Sequence, residues 1–442
     1  MYFYGNNINY YFVINIILIV NMHILKIITI IDKYYYMYIP SSFLYQLLRS
    51  EQIGIFCESN NEGDKAIIAK LPTSTIKAIS LGAKVEFYVF TTSVEPHYLA
   101  LCMKVFDNKN SPMHAILTQR WQNSNNILDV SFFDSELDLV LYDETDAPVQ
   151  ASRIKIKTNT SNKNVKDILQ NTKFISLYDY KSGNDFTDSV CADLGFDFLF
   201  HPDYPIVRFK FSVEITDINA TKVCHYSEQG STFYDVIQDI DGTRQERQVY
   251  QSLCLMDNSN TTISPLVTIG KKERELTDIL TITANKQLVA IESKCLQVDI
   301  DTLDKSYERT SASIVKHCKK ALGQLEGVYK TIKRKERIYD KDDNTLLIED
   351  KYLFYGVVLI DEYRHSKDWN ELIILMGELS NRHNICLNII TISELIYTMK
   401  LSESNIASFV KFLEKRHEAC INSNTIDMRF INSSLSVSNL IP

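Results

Sequence analysis

Hydrophobic and polar residues alternate along residues 276–283 and again along 288–294, and a short polar stretch separates the two runs. A period of two is typical of β-strands, because successive side chains point to opposite faces of a sheet. The pattern therefore predicts a β-hairpin whose turn lies at Asn285 and Lys286.

Three charged residues of this hairpin are predicted to lie close together. Glu292 and Lys294 share one face of the second strand, whereas Ser293 faces the other way. Asp278 lies near the end of the strand that pairs with them. Two neighbouring carboxylates repel each other unless a hard cation lies between them, and Mg²⁺ is the usual one because it prefers oxygen ligands. The alternative is a half-buried hairpin on which Glu292 and Lys294 are solvated edge charges.

The sequence T-D-I-L followed by I-E-S-K resembles the PD-(D/E)xK nuclease superfamily, which has the restriction-endonuclease-like fold. That family often has a proline before the aspartate, where this chain has Thr277. The resemblance implies that Asp278 and Glu292 hold one or two Mg²⁺ (or Mn²⁺) ions, with the carbonyl group of Ser293 as a further ligand. It also implies that Lys294 positions the attacking water and contacts the phosphate.

A helical pattern precedes the hairpin from about residue 243 onward. In the resembled family a helix at this place often carries an acidic residue that faces the metal, and Glu246 matches it in order and spacing. Glu273 and Glu275 compete for this role because they directly precede Asp278. Glu246 also has a structural explanation, since an acidic residue near a helix N-terminus interacts favourably with the helix dipole.

A long helix is predicted after the hairpin, from about residue 307 to 337, and it is the most basic segment of the chain. Lys316, Lys320 and Gln324 are four residues apart and therefore form one stripe on it. The resemblance implies that a Gln or Lys from this helix enters the site, with Gln324 as the candidate. Lys316 and Lys320 are candidates for contact with nucleic-acid phosphates. The alternative is an ordinary solvated helix face.

The order of elements from about residue 240 to 400 is helix, hairpin, helix, strand, helix, strand. This order predicts an α/β sandwich around a mixed sheet, which matches the resembled fold element by element. The N-terminal half is rich in β-type runs and predicts a mainly antiparallel domain, so the chain is α/β, or α+β overall. The runs are 84–92, 97–106, 115–121, 127–133, 137–142 and 149–157.

Four segments are expected along the chain. Residues 37–230 form the β-rich domain for recognition or partner binding, 231–422 form the nuclease-like domain, and 423–442 form a disordered tail. Residues 1–36 form an apolar leader, which is a spurious or disordered start, a membrane anchor, or an ordinary buried segment. Residues 10–31 are long enough to span a bilayer, but Asn and Lys residues interrupt them, which makes membrane insertion unfavourable.

Composition narrows the classes of function. The chain has 442 residues and a net charge of −8, so affinity for DNA would have to come from a local basic patch. Its nine cysteines include no C-x-x-C pair, which favours reduced thiols in a cytoplasmic protein. No phosphate-binding loop or dinucleotide motif is present, so any motor would be another chain. Trp121 is a candidate for base stacking, although a core position is the commoner role of a tryptophan.

These observations together predict a Mg²⁺-dependent nuclease that hydrolyses DNA, in restriction-like or anti-phage defence by analogy with the resembled family. Because double-strand cutters often need two sites, a homodimer is a further expectation, as is a separate defence-system subunit. The alternative function is a catalytically silent module of the same fold that binds nucleic acid or a protein partner. A membrane-tethered protein is a third, weaker reading.

Overall fold

The computed structural model describes residues 38–426 except 61, 96, 119–127, 129, 134, 158–162, 175–179, 197–203, 228, 229, 258, 304 and 363–368. From Pro40 onward, the described residues form one compact unit. The predicted leader at 1–36, most of the predicted tail and Trp121 lie outside the described residues. Within the described part of the chain, no helix is long and apolar enough to cross a membrane.

The N-terminal half contains an eight-stranded sheet in the order β1-β2-β6-β7-β8-β3-β4-β5. All neighbouring strands are antiparallel except β2 and β6, which confirms the mainly antiparallel prediction. The end strands β1 and β5 also lie against each other, so the sheet curls around its own core. The strands are β1 (Gly54–Ser59), β2 (Lys65–Lys70), β3 (Val85–Thr92), β4 (Leu99–Val105), β5 (Met113–Thr118), β6 (Glu136–Tyr142), β7 (Pro148–Lys157) and β8 (Ile206–Ala220).

Four helices and one hairpin accompany this curled sheet. The helices are α1 (Ser42–Ser50), α2 (Thr73–Ser80), α3 (Lys163–Asn171) and α4 (Tyr180–Asp193), and the hairpin is β9 (Lys222–Ser227) with β10 (Gly230–Asp235). Most of the acidic segment 180–188 lies in α4, where Phe186 and Val190 are buried beneath the charged residues. One local prediction is wrong here, because the expected strand at 127–133 contains a short 3₁₀ turn, Val130–Phe132.

The C-terminal half is built on a five-stranded mixed sheet in the order β11-β14-β15-β17-β18. Strands β15, β17 and β18 run parallel, and β11, β14 and β15 are antiparallel. A smaller sheet, β13-β12-β16, lies beside it. The strands are β11 (Ser259–Ile263), β12 (Leu266–Ile269), β13 (Lys272–Glu275), β14 (Ile279–Thr283), β15 (Gln287–Lys294), β16 (Ile338–Tyr339), β17 (Leu353–Ile360) and β18 (Cys386–Thr391).

Helices cover both faces of the five-stranded sheet, as the predicted α/β sandwich requires. One face packs against α7 and α8, and the other packs against α5, α9 and α10. Strand β15 is therefore buried on both sides, with Leu288 and Ala290 facing α7 and with Val289 and Ile291 facing α5. The helices are α5 (Asp241–Cys254), α6 (Ile300–Leu303), α7 (Tyr307–Lys333), α8 (Trp369–His383), α9 (Ile392–Leu401) and α10 (Ile406–Ser423).

Buried polar contacts join the two sheets into one unit. The Lys77 ammonium on α2 donates to both carboxylate oxygens of Asp241 on α5, at 3.0 and 3.0 Å. The β6–β7 loop adds two more contacts, from Gln248 to Asp143 at 3.1 Å and from Lys400 to Asp146 at 2.6 Å. The predicted boundary at 230/231 falls in the β9–β10 hairpin, where the first sheet has ended and α5 has not begun.

The chain is ordered beyond the predicted start of the disordered tail at residue 423. Helix α10 includes Ser423, and Asn424 ends it in the left-handed conformation at φ 50°. Ile426 is buried, and its carbonyl oxygen accepts a hydrogen bond from the Arg416 guanidinium at 2.9 Å. The described part of the chain thus continues to Ile426, and the remaining residues of the predicted tail lie outside it.

Replacement of two glycines by alanine tests the packing between α7 and the sheet. The two replacements are expected to change the free energy of unfolding in opposite directions. A methyl group on Gly356 in β17 would lie 2.5 Å from the fully buried side chain of Leu387 and 3.2 Å from that of Leu325. Gly356→Ala is therefore expected to lower the free energy of unfolding by about 1–3 kcal/mol. Gly323→Ala on the open side of α7 is the matched control and should raise it by up to about 1 kcal/mol. Urea unfolding measures both, and a neutral Gly356→Ala would contradict the tight packing.

Candidate active site

The predicted hairpin is confirmed and sets the geometry of the site. Strands β14 and β15 pair in a register that puts Ile279 opposite Ile291. Asp278 directly precedes β14 and Glu292 directly follows Ile291, so the two carboxylates meet where the ladder ends. The turn closes with Lys286 in the left-handed region at φ 60°.

The three charged groups are in contact. The Lys294 ammonium lies 2.9 Å from a carboxylate oxygen of Glu292 and 3.8 Å from Asp278 Oδ2. The Ser293 backbone N–H donates to the same Asp278 oxygen at 2.6 Å. Glu292 is only 1% exposed, whereas the side chains of Lys294 and Asp278 are 16% and 20% exposed. The three charged side chains therefore form a largely buried cluster and are not solvated edge residues.

Thr277 occupies the position where the resembled family often has proline. Its side chain is buried, and its hydroxyl donates to the carbonyl oxygen of Ile291 at 2.9 Å. This bond fastens the chain just before Asp278 to β15. A threonine hydroxyl thus restrains the backbone at this point through a hydrogen bond.

The carboxyl groups of the site have raised pKa values. Burial is the main cause for both Asp278 and Glu292, and the Lys294 ammonium opposes it. Burial also raises the pKa of Glu246 to about 7, and the charges of Asp278 and Glu275 add to the shift. Glu246 and Glu275 therefore both lie close enough to Asp278 to interact with it electrostatically. Glu273 instead accepts a hydrogen bond from the Tyr339 hydroxyl at 2.7 Å, within the small sheet.

Helix α7 brings Cys318, and not Gln324, towards the site. Burial raises the pKa of the Cys318 thiol to about 12, and Lys294 is the charged group that opposes this shift. Gln324 is exposed on the outer side of α7, and its neighbour Leu325 lies against Gly356, opposite Ala290 in the middle of β15. The structure therefore does not place Gln324 at the carboxylates, because the helical phase turns it to solvent.

The lysine stripe of α7 is exposed, as predicted. Lys316 and Lys320 are both exposed, and neither forms an ion pair within the described part of the chain. Lys319 and Lys330 on the same helix are paired with Glu371 and Glu326. Lys316 and Lys320 thus carry uncompensated positive charge, while their contact with nucleic acid stays a prediction.

Sequence reasoning missed a polar group on the other side of β15. Gln245 on α5 accepts a hydrogen bond from the Ser293 hydroxyl at 3.1 Å, and Arg244 is buried beside it. The Cys295 thiol donates to Asp361 Oδ2 at 3.0 Å, and this carboxylate together with burial raises the pKa of the thiol well above its usual range. The sequence feature that could have indicated this polar group is Asp361, an acidic residue directly after a buried parallel strand. None of the nine cysteines forms a disulfide bond, and Cys224 on β9 is exposed.

Asp278 and Glu292 carry carboxylate oxygens, which are the donor type that a hard divalent cation prefers. Within the described residues, no three His, Cys, Asp or Glu side chains are grouped closely enough to hold a metal ion. The cation that contacts both carboxylates is the Lys294 ammonium, 2.9 Å from Glu292 and 3.8 Å from Asp278.

Comparisons of the chain with protein-family models, with curated proteins and with solved structures find no match.

Replacing Lys294 tests whether its ammonium holds the place of a metal ion. Lys294→Met leaves Glu292 buried without its partner, so the free energy of unfolding in EDTA should fall by about 1–3 kcal/mol. Millimolar Mg²⁺ should restore most of this loss, because the dication binds the freed carboxylates. Urea unfolding with and without Mg²⁺ measures the effect, with Lys320→Met as the exposed, unpaired control. An equal response to Mg²⁺ in both variants would contradict the assignment.

Proposed function

We propose that the protein is a Mg²⁺-dependent nuclease that hydrolyses phosphodiester bonds of DNA. One observation carries the proposal: strand pairing brings Asp278, Glu292 and Lys294 together where β14 begins and β15 ends, in the middle of the five-stranded sheet, with the Lys294 ammonium 2.9 Å from Glu292 and 3.8 Å from Asp278. The mixed sheet and its flanking helices agree with the fold that the sequence resemblance implies. A setting in restriction-like or anti-phage defence and a homodimer are parts of the proposal that rest on analogy alone.

In this proposal each residue of the site has a defined task. Asp278, Glu292 and the Ser293 carbonyl group would hold Mg²⁺, which lowers the pKa of a bound water and stabilises negative charge on the phosphate. Lys294 would leave Glu292 and donate to the scissile phosphate or to the attacking water. The Ser293 N–H keeps Asp278 oriented throughout. Glu246 would add a further carboxylate on the α5 side.

Substrate binding is assigned to the exposed lysine stripe on α7. The chain has a net charge of −8, so general attraction to DNA is unfavourable and a local patch must supply the contact. Lys316 and Lys320 lie on either side of Cys318 along the helix. The charge of Lys294 opposes the burial that raises the pKa of the Cys318 thiol. The stripe therefore lies at the level of the site along α7, but on the exposed side of the helix, opposite the buried face that carries Cys318.

Cleavage assays test the chemistry directly. The substrates are supercoiled and linear double-stranded DNA, single-stranded DNA and RNA, each with Mg²⁺ and with EDTA. Asp278→Ala and Lys294→Ala are expected to lower the cleavage rate at least about 100-fold, because each removes a group that acts on the transition state. Asp342→Ala, an exposed aspartate in the loop after β16, is the control and should retain the wild-type rate. Mg²⁺-dependent cleavage that survives Asp278→Ala would refute the site.

The lysine stripe makes a separate prediction about salt dependence. The double variant Lys316→Ala/Lys320→Ala should bind DNA more weakly, and the slope of log K against log salt should fall by about 2. Lys319→Ala is the matched control, because Lys319 is already paired with Glu371 and should change the slope little. Fluorescence anisotropy over a salt series measures both slopes. Equal slopes in the double variant and in wild type would place the DNA elsewhere.

A catalytically silent module that binds nucleic acid or a protein is the second candidate. It is favoured by the close pairing of Lys294 with Glu292, which leaves the carboxylates neutralised without a metal. The two candidates separate in the same assays. Binding of DNA with no cleavage of any substrate, together with no effect of Mg²⁺ on the stability of Lys294→Met, would favour the silent module.

A further inference from the structure

We propose that Gln245 is a positioning residue of the candidate active site, which holds Ser293 and, through the Ser293 backbone, the Asp278 carboxylate. This inference rests on the proposed function for its catalytic consequence. Its structural part concerns a hydrogen-bond chain that can be tested without any cleavage.

The first step of the chain is the contact between α5 and β15. Gln245 has no exposed surface, and its side-chain oxygen accepts a hydrogen bond from the Ser293 hydroxyl at 3.1 Å. Ser293 faces α5, whereas its neighbours Glu292 and Lys294 face the opposite side of the strand. Gln245 therefore contacts β15 from the α5 side and binds Ser293, which lies between Glu292 and Lys294.

The second step passes through the backbone of Ser293. Its N–H donates to Asp278 Oδ2 at 2.6 Å, a charge-assisted bond that fixes the carboxylate. A rotation or shift of Ser293 would lengthen this bond and would also move the carbonyl group assigned to the metal. The position of two oxygen donors thus depends on how firmly Ser293 is held.

The third observation is the amide nitrogen of Gln245, which is buried without a hydrogen-bond partner among the described residues. An unsatisfied buried donor is unfavourable, and a leucine of similar volume would avoid it. The contribution of this glutamine is therefore directional: it holds the Ser293 hydroxyl in one place and does little for stability.

Helix α5 is itself held from the N-terminal sheet, so Gln245 has a fixed base. Lys77 binds Asp241 at the start of the helix at 3.0 Å. Gln248 accepts a hydrogen bond from Arg244 and donates to Asp143 of the β6–β7 loop at 3.1 Å. These contacts lie on both sides of Gln245 in the sequence and prevent α5 from sliding along β15.

The test compares Gln245→Leu with Val249→Ala in the full-length protein. Val249 is a fully buried core residue of the same helix that does not contact Ser293 through hydrogen bonds, so its variant reproduces a general loss of packing. Hydrogen–deuterium exchange of peptides that contain residue 293 should become about 10-fold faster in Gln245→Leu, and Val249→Ala should not show this local change. Unchanged exchange in Gln245→Leu, or equal acceleration in both variants, would overturn the proposal.

Cleavage kinetics give the second readout. Gln245→Leu should lower kcat about 10–100-fold and leave KM for DNA within about 2-fold, because the groups that act on the phosphate are displaced while the binding surface on α7 is untouched. Ser293→Ala should reproduce this loss, and the double variant should lose no more than either single one, since both remove the same bond. Additive losses, or an unchanged kcat in an active enzyme, would overturn the positioning role. If the wild type cleaves nothing, the proposed function fails, and the exchange comparison still decides whether Gln245 holds Ser293.

Discussion

The buried ion pair between Lys77 and Asp241 fixes the helix on which the candidate site depends. Both side chains are almost fully enclosed, and removing charges from water is unfavourable unless every group is paired. Asp241 meets this condition with two contacts to the ammonium and a hydrogen bond from the Val298 backbone at 2.9 Å. One carboxylate thus ties together the first sheet, the start of α5 and the chain that leaves β15.

Helix α5 consequently has two sides with different tasks. Towards the first sheet it presents Gln248 to the β6–β7 loop, and towards β15 it presents Gln245 and Glu246 to the site. A disturbance in the curled sheet would therefore reach the carboxylates through a single rigid element. The N-terminal half therefore supports the helix that carries part of the site.

The sequence predicted those parts of the structure that local periodicity determines. Alternation predicted the hairpin, its turn and the shared face of Glu292 and Lys294, because side chains two residues apart on a β-strand lie on the same face of the sheet. Local periodicity does not predict long-range contacts. No local pattern in the sequence indicates that Gln245 contacts Ser293 or that Asp361 contacts Cys295. The assignment of Gln324 failed because spacing gave the stripe but not which side of α7 faces the sheet.

The environments of the cysteines have a practical consequence for spectroscopy. Burial raises the pKa values of thiols such as Cys254, Cys318 and Cys386 to about 11 or 12, so little reactive thiolate forms at neutral pH. Cys224 is exposed on β9, a strand that lies against α5. A maleimide fluorophore would therefore react faster with Cys224 of the native chain than with these three thiols. Its emission would report on the surroundings of α5 while DNA binds.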